Sequence, residues 1–140
     1  NYSTLDYTVV IKRLADDSGP NGVFIRGTPA PLGAQNIWDD AYFFAYTNDG
    51  NFCIFKWING VKTIIQNYTT TPYVNAYDWN TLRVTASGSA LKLYINGHLV
   101  WSGSDSSLPS GQVGFGSYKR YTNSTPFYVD YASLSQVVSE

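Results

Sequence analysis

Few side chains in this sequence are capable of covalent or acid–base chemistry. Nine of the ten acidic residues are Asp, and the single Glu is Glu140, the last residue. There is one histidine, His98, and one cysteine, Cys53. Retaining glycoside hydrolysis needs two carboxyl groups about 5 Å apart, one a nucleophile and one an acid. Asp39 and Asp40 are sequence neighbours, so on a strand they point to opposite faces. Asp16 and Asp17, ahead of Ser18-Gly19-Pro20, read as turn residues. A Ser-His-Asp hydrolase would have only His98 as base, and no Gly-x-Ser-x-Gly elbow occurs. His98 itself reads as a strand-start residue near a rim. One Cys forms no internal disulfide, and one His makes no His-rich metal site. This inventory points away from an enzyme and toward a binding protein.

Aromatic side chains are abundant instead: 12 Tyr, 7 Phe and 4 Trp. A ring can stack on the apolar CH face of a pyranose while planar polar groups take its hydroxyls. Two groups carry that combination. Arg26, Trp38, Asp39, Asp40 and Tyr42 lie in or beside one long connection. Tyr118, Lys119, Arg120 and Tyr121 are contiguous, and the basic pair between two tyrosines suits an anionic or polyhydroxylated ligand. These nine residues are the candidate ligand-binding set.

The remaining composition sets bounds. The chain has 140 residues, 44% apolar and only 14% charged, one domain's worth of foldable sequence. A net charge of −1 gives no basic field for nucleic acid. No run of 18 apolar residues exists to span a membrane. Met is absent even at position 1 and there is no signal peptide. Few Lys and many Tyr, Asn, Ser and Thr suggest a single module, residues 1–140, excised from a larger exported protein.

The elements that must position the aromatics are strands. Helical periodicity is nowhere sustained, while β-branched and aromatic runs recur between turn signals. Strands are expected near 6–14, 22–27, 41–48, 51–58, 61–67, 80–86, 90–96, 98–103, 111–118 and 126–135. Asp49-Gly50, Asn59-Gly60 and Asn96-Gly97 each suit the two positive φ values of a type I′ hairpin. With two-residue loops, Tyr46 faces Cys53, Phe44 faces Phe55, and Phe55 faces Ile64. One face of that meander then carries Phe44, Phe55, Ile64 and Cys53, and the other Phe43, Ala45, Ile54, Ile65 and Lys56. Both are apolar, so both are expected to be partly covered. In the third hairpin Leu91, Leu93, Ile95 and Val100 share a core face with Leu82, Val84 and Ala86. Lys92, Tyr94 and Trp101 lie on its reverse. The long connections are 28–40 and 68–79, each near the length at which a loop is usually functional.

Some of these runs have a further pattern: Trp79-Asn80-Thr81-Leu82-Arg83-Val84, Leu91-Lys92-Leu93-Tyr94-Ile95-Asn96-Gly97, Leu99-Val100-Trp101, and Gly111-Gln112-Val113-Gly114-Phe115. Together they resemble the corresponding segment of concanavalin A-like lectin/glucanase domains, a group that includes laminin-G-like modules. Gly22-Val23-Phe24-Ile25-Arg26 and Phe127-Tyr128-Val129-Asp130 are similar to its upstream and closing strands. The resemblance covers roughly residues 6–135. It implies an all-β, two-sheet antiparallel jelly-roll sandwich with ligands, often glycans, on the concave sheet or its rim loops. It places the Arg26 and Tyr118 strands close together there, and Trp79 in the core. The glucanases of this group use a Glu-x-Asp-x-x-Glu strand, absent here. Lectin and laminin-G-like relatives often hold calcium, which takes six to eight oxygen ligands. The candidates are Asp16, Asp17 and Asn21, or Asp39 and Asp40, with Asp130.

The expected function is a non-catalytic, carbohydrate-binding-type module, secreted or at the cell surface, with a glycan or polysaccharide partner. The alternatives are a structural or adhesive spacer with a protein partner, and, third, a glycoside hydrolase-like enzyme.

Overall fold

The structure is a computed structural model that describes residues 1–14, 17–32, 37–118 and 126–136. Among the described residues ten strands are formed: β1 Leu5–Arg13, β2 Asn21–Leu32, β3 Trp38–Tyr46, β4 Asn51–Ile58, β5 Val61–Thr70, β6 Trp79–Ser87, β7 Ala90–Ile95, β8 His98–Ser104, β9 Gln112–Ser117 and β10 Phe127–Ser135. They make two antiparallel five-stranded sheets, β10-β1-β6-β7-β8 and β5-β4-β3-β2-β9. All ten expected strands are present. The two long connections are shorter than expected, because β2 runs on to Leu32, opposite Trp38, and β5 runs on to Thr70. No helix is long and apolar enough to cross a membrane among the described residues.

The first sheet alternates cleanly, with one face buried and one wet. Leu5, Tyr7, Val9 and Ile11 of β1 turn inward with Leu82, Val84 and Ala86 of β6 and Leu91, Leu93 and Ile95 of β7. Its outer face carries polar groups such as the Arg83–Asp6 ion pair. Across the interior, Val23, Ile25, Tyr42, Phe44, Tyr46, Phe52 and Ile54 of the second sheet complete the core.

The second sheet departs from the expected register by one residue, because the β3–β4 turn is not type I′. Tyr46 pairs with Phe52, which leaves a longer loop closed by Thr47 N–H to the Asn51 carbonyl at 2.9 Å. Only Gly50 in this turn has positive φ. Asn48 is anchored from outside the hairpin. Its amide donates to the Arg13 carbonyl at 2.9 Å and its Oδ1 accepts Tyr77 N–H at 3.0 Å. A slip of one residue exchanges faces. Phe43, not Phe44, therefore stands opposite Phe55, and Phe44 goes into the inter-sheet core. The other two turns are as expected, with positive φ at Asn59, Gly60, Asn96 and Gly97.

Two further expectations are corrected. An irregularity after Leu93 sets Trp101 opposite Leu93, so Trp101 packs on the inner core instead of beside Lys92 and Tyr94. Trp79 is exposed rather than core. It precedes the point where β6 begins to pair with β7, and the Lys12 ammonium lies 4.7 Å from its ring centroid.

Candidate functional site

The outer face of the second sheet is built from cross-strand rows of aromatic residues. Phe24 of β2, Phe43 of β3, Phe55 of β4 and Ile64 of β5 are successive neighbours, with Gly114 of β9 beyond Phe24. Beside that row, Ala41, Trp57 and Lys62 form another. Phe43, Ala45, Cys53, Phe55 and Trp57 are buried here although no further sheet covers them among the described residues.

Other aromatic side chains cover them. Trp38 stacks on Phe24 at 5.0 Å between centroids, and Phe24 on Phe43 at 4.5 Å. Tyr118 lies nearly parallel to Trp57 at 6.2 Å and edge-on to Phe43 at 5.9 Å. Tyr68 meets Phe55 edge-on at 5.9 Å. The face is thus two-tiered, with Phe24, Phe43, Phe55 and Trp57 as floor and Trp38, Tyr118 and Tyr68 above. Trp38 and Tyr118 are half-buried and Tyr68 is exposed. Each such ring pair adds about 0.5–1.5 kcal/mol beyond burial, so the upper rings are held in place before any ligand arrives. Glycines make room for Trp38: a Cβ at Gly27 or Gly114 would stand 2.1 or 2.7 Å from its ring.

Polar groups border the rings. The Lys62 ammonium sits 3.9 Å from the Phe55 ring centroid. Burial, reinforced by nearby Tyr68, pushes the Tyr118 phenol up to about 12, so it stays a proton donor at ordinary pH. Burial likewise raises the Cys53 thiol to about 12 against the opposing pull of Lys62 and Tyr68, which keeps this thiol unreactive.

Of the residues expected to bind ligand, Trp38 and Tyr118 reach this face. Asp39 is at its rim, with Oδ1 3.1 Å from where a Cβ on Gly60 would lie. Asp40 braces the β4–β5 turn by accepting Asn59 N–H at 2.8 Å. Lys119, Arg120 and Tyr121 lie outside the described residues.

Arg26 and Tyr42 are corrected: both are inside the sandwich, 2% and 0% exposed. Arg26 has φ 50° beside a register shift in β2, and its guanidinium donates to the Leu108 carbonyl at 3.2 Å and to the Ser3 carbonyl. Tyr42 donates to Asp105 Oδ1 at 2.6 Å and accepts Leu108 N–H at 3.1 Å. Lys56 adds a 2.7 Å ion pair to Asp105 and a 2.8 Å bond to Ser107. These groups latch the β8–β9 crossover against β3 and β4, and so hold the two sheets together at that end. Buried and engaged in these bonds, Arg26 and Tyr42 serve the interior of the fold and do not lie on the aromatic face.

Of the calcium candidates, Asp16 is outside the described residues. Asp17 accepts the Tyr77 hydroxyl. Asn21 is buried and donates its amide to the Gly19 and Tyr46 carbonyls at 3.1 and 3.4 Å. Among the described residues, no three His, Cys, Asp or Glu side chains gather as a metal site.

The expected ligand-binding set did not include Phe24, Phe43, Phe55, Trp57, Tyr68 or Lys62, which build this face. An available signal was the run Phe52–Trp57, apolar on both faces, which required cover on each side.

No family model matches the chain, and no curated protein does. Solved structures do. The carbohydrate-binding module CBM66 from Bacillus subtilis superposes with a TM-score of 0.76 at 18% identity, covering 96% of this chain and 76% of that one. Sheep galectin-11, solved with glycerol, gives 0.69 at 12% identity over 96% and 92% of the two chains. The fold is the concanavalin A-like jelly roll. A β-glucanase from Bacillus licheniformis shares this jelly roll at a TM-score of 0.65 and 12% identity, over 98% of this chain and 68% of that one. Binding modules and hydrolases therefore both appear among the jelly rolls it resembles.

Proposed function

We propose that this jelly roll is a non-catalytic carbohydrate-binding module of an exported protein, with the glycan lying on the outer aromatic face of the second sheet. The observation that carries the reading is the upper tier, Trp38, Tyr118 and Tyr68, partly open and resting on buried Phe43, Phe55 and Trp57 and half-buried Phe24. Ring faces fixed beforehand lose little conformational entropy when a sugar stacks on them. The carbohydrate-binding neighbours support the same reading. Of the described carboxylates, Asp40, Asp105 and Asp6 are each engaged in holding the fold.

The test is affinity electrophoresis on a polysaccharide panel followed by calorimetry on any polymer that retards the protein. Trp38→Ala and Tyr118→Ala are each expected to cost about 1.5–2 kcal/mol, roughly a ten- to thirtyfold loss of affinity. Gly114→Val should act like Trp38→Ala, because its side chain takes the space of the indole. Affinity unchanged in all three variants, with circular dichroism intact, overturns the site.

Calcium at Asp16, Asp17 and Asn21 is a separate part of the proposal. An ion bound only to the folded state stabilises it by RT ln(1 + [L]/Kd), so saturating Ca²⁺ should raise Tm by several degrees and a chelator should reverse the rise. A Tm indifferent to both removes calcium from the account.

A further inference from the structure

The polar groups bordering the aromatic face are weighted toward donors. Lys62 lies on β5 opposite Trp57, with its ammonium over the Phe55 ring. An ammonium at that distance is held by the ring quadrupole and is restrained from swinging freely in water. It has no carboxylate within ion-pair reach among the described residues; the pairs formed there are Lys56–Asp105 and Arg83–Asp6, elsewhere in the molecule. The Tyr118 hydroxyl, beside Tyr68, is a second donor on the same face. Asp39, a carboxylate at this rim, sits against Gly60 and forms no ion pair with Lys62 among the described residues. A neutral sugar offers donors and acceptors in balance. Lys62 is exposed on the edge strand β5, so its ammonium can meet a ligand lying on this face. A cation at the border with no carboxylate partner among the described residues favours a ligand bearing an anionic acceptor, since a charge-assisted hydrogen bond is about twice as strong as a neutral one.

We infer that Lys62 reads charge on the ligand: the glycan bound on this face carries a carboxylate or sulfate that docks on the Lys62 ammonium beside Tyr118, while a sugar ring stacks on the upper aromatic tier. This rests on the carbohydrate-binding reading above and adds the class of glycan to it.

The experiment uses matched polymers: polygalacturonate against its methyl ester, carboxymethylcellulose against hydroxyethylcellulose, and dextran sulfate against dextran. Affinity is measured by calorimetry at low and high salt for the wild type, Lys62→Met and Lys62→Arg. The anionic member of at least one pair is expected to bind about tenfold tighter than its neutral partner, an advantage that salt diminishes. Lys62→Met, which keeps the apolar stem over Phe55, should remove that advantage, and Lys62→Arg should retain it. A preference for carboxylated polymers over dextran sulfate, or the reverse, identifies the anion. Binding to neutral polymers that depends on Trp38 and is indifferent to Lys62→Met overturns the inference and leaves the carbohydrate-binding reading standing. An anionic preference that survives Lys62→Met also overturns it. Failure to bind any polymer of either kind overturns both.

Discussion

Asp105→Ala is expected to lower Tm by roughly 8–15 °C, the effect of losing about 2–4 kcal/mol in a domain of this size. The carboxylate receives Lys56, the Tyr42 hydroxyl and Ser107 N–H at 2.7, 2.6 and 2.9 Å. Its side chain is 15% exposed and that of Lys56 18%, so solvent screens the pair only in part. Alanine would leave Lys56 and Tyr42 without their acceptor and loosen the crossover that Arg26 also holds through Leu108. The change carries a pH signature. Burial by itself would raise this carboxyl's pKa, but the hydrogen bonds from Lys56, Tyr42 and Ser107 outweigh it and hold the group well below the usual carboxylate range. A group whose pKa is depressed on folding stabilises the protein above its unfolded pKa, near 3.9, and that contribution is lost as pH falls toward the folded value. The wild type should therefore lose stability below about pH 4, and Asp105→Asn should lose less over the same interval. Thermal melts between about pH 5 and pH 2 check both. Parallel acid profiles for the two proteins would rule out the latch as the source of acid sensitivity.

Phe44→Ala is expected to cost about 3–5 kcal/mol, a large fraction of the stability of any domain this small. Phe44 is fully buried between the sheets, with its ring 6.2 Å from Trp101. Ile64→Ala, on the exposed edge strand β5 with Ile64 53% exposed, should cost under about 1 kcal/mol. The comparison discriminates because a two-residue β3–β4 loop would put Phe44 and Ile64 on one face. The observed register separates them, with Phe44 in the core and Ile64 at the margin of the aromatic face. Urea denaturation of both variants measures the difference. Similar losses would mean that the two side chains share an environment, contrary to this register.

Much of the architecture is local and was readable for that reason. Each strand is announced by its own β-branched and aromatic residues and ended by its own turn residues. Asn59-Gly60 and Asn96-Gly97 dictate type I′ turns because both positions take positive φ. The inward set of the first sheet followed from simple alternation, since its other face is wet. Trp38 and Tyr118 could be singled out from the sequence because they stand at strand ends, where a ring has room to lie over a sheet, and the structure puts both rings on the outer aromatic face. The aromatic floor beneath them could not. It depends on registers across four strands, and one misjudged turn moves every side chain of β3 to the opposite face.

What the sequence by itself determined is the set of ten strands, two of the three tight hairpins, the scarcity of carboxyl and imidazole chemistry, and the surplus of aromatic rings. What only the tertiary structure decided is which rings and charges face out. Asn48 is pinned by Arg13 and Tyr77, residues distant in sequence, and so sets the β3–β4 register. Arg26 turns inward because its backbone leaves the extended region and carbonyls of Ser3 and Leu108 wait there to receive it. An arginine or a tyrosine has an apolar body and a polar tip, suited equally to a binding surface and to a satisfied interior. Residue type and spacing are the same in both cases, and the partners brought from the other sheet determine which one is realised.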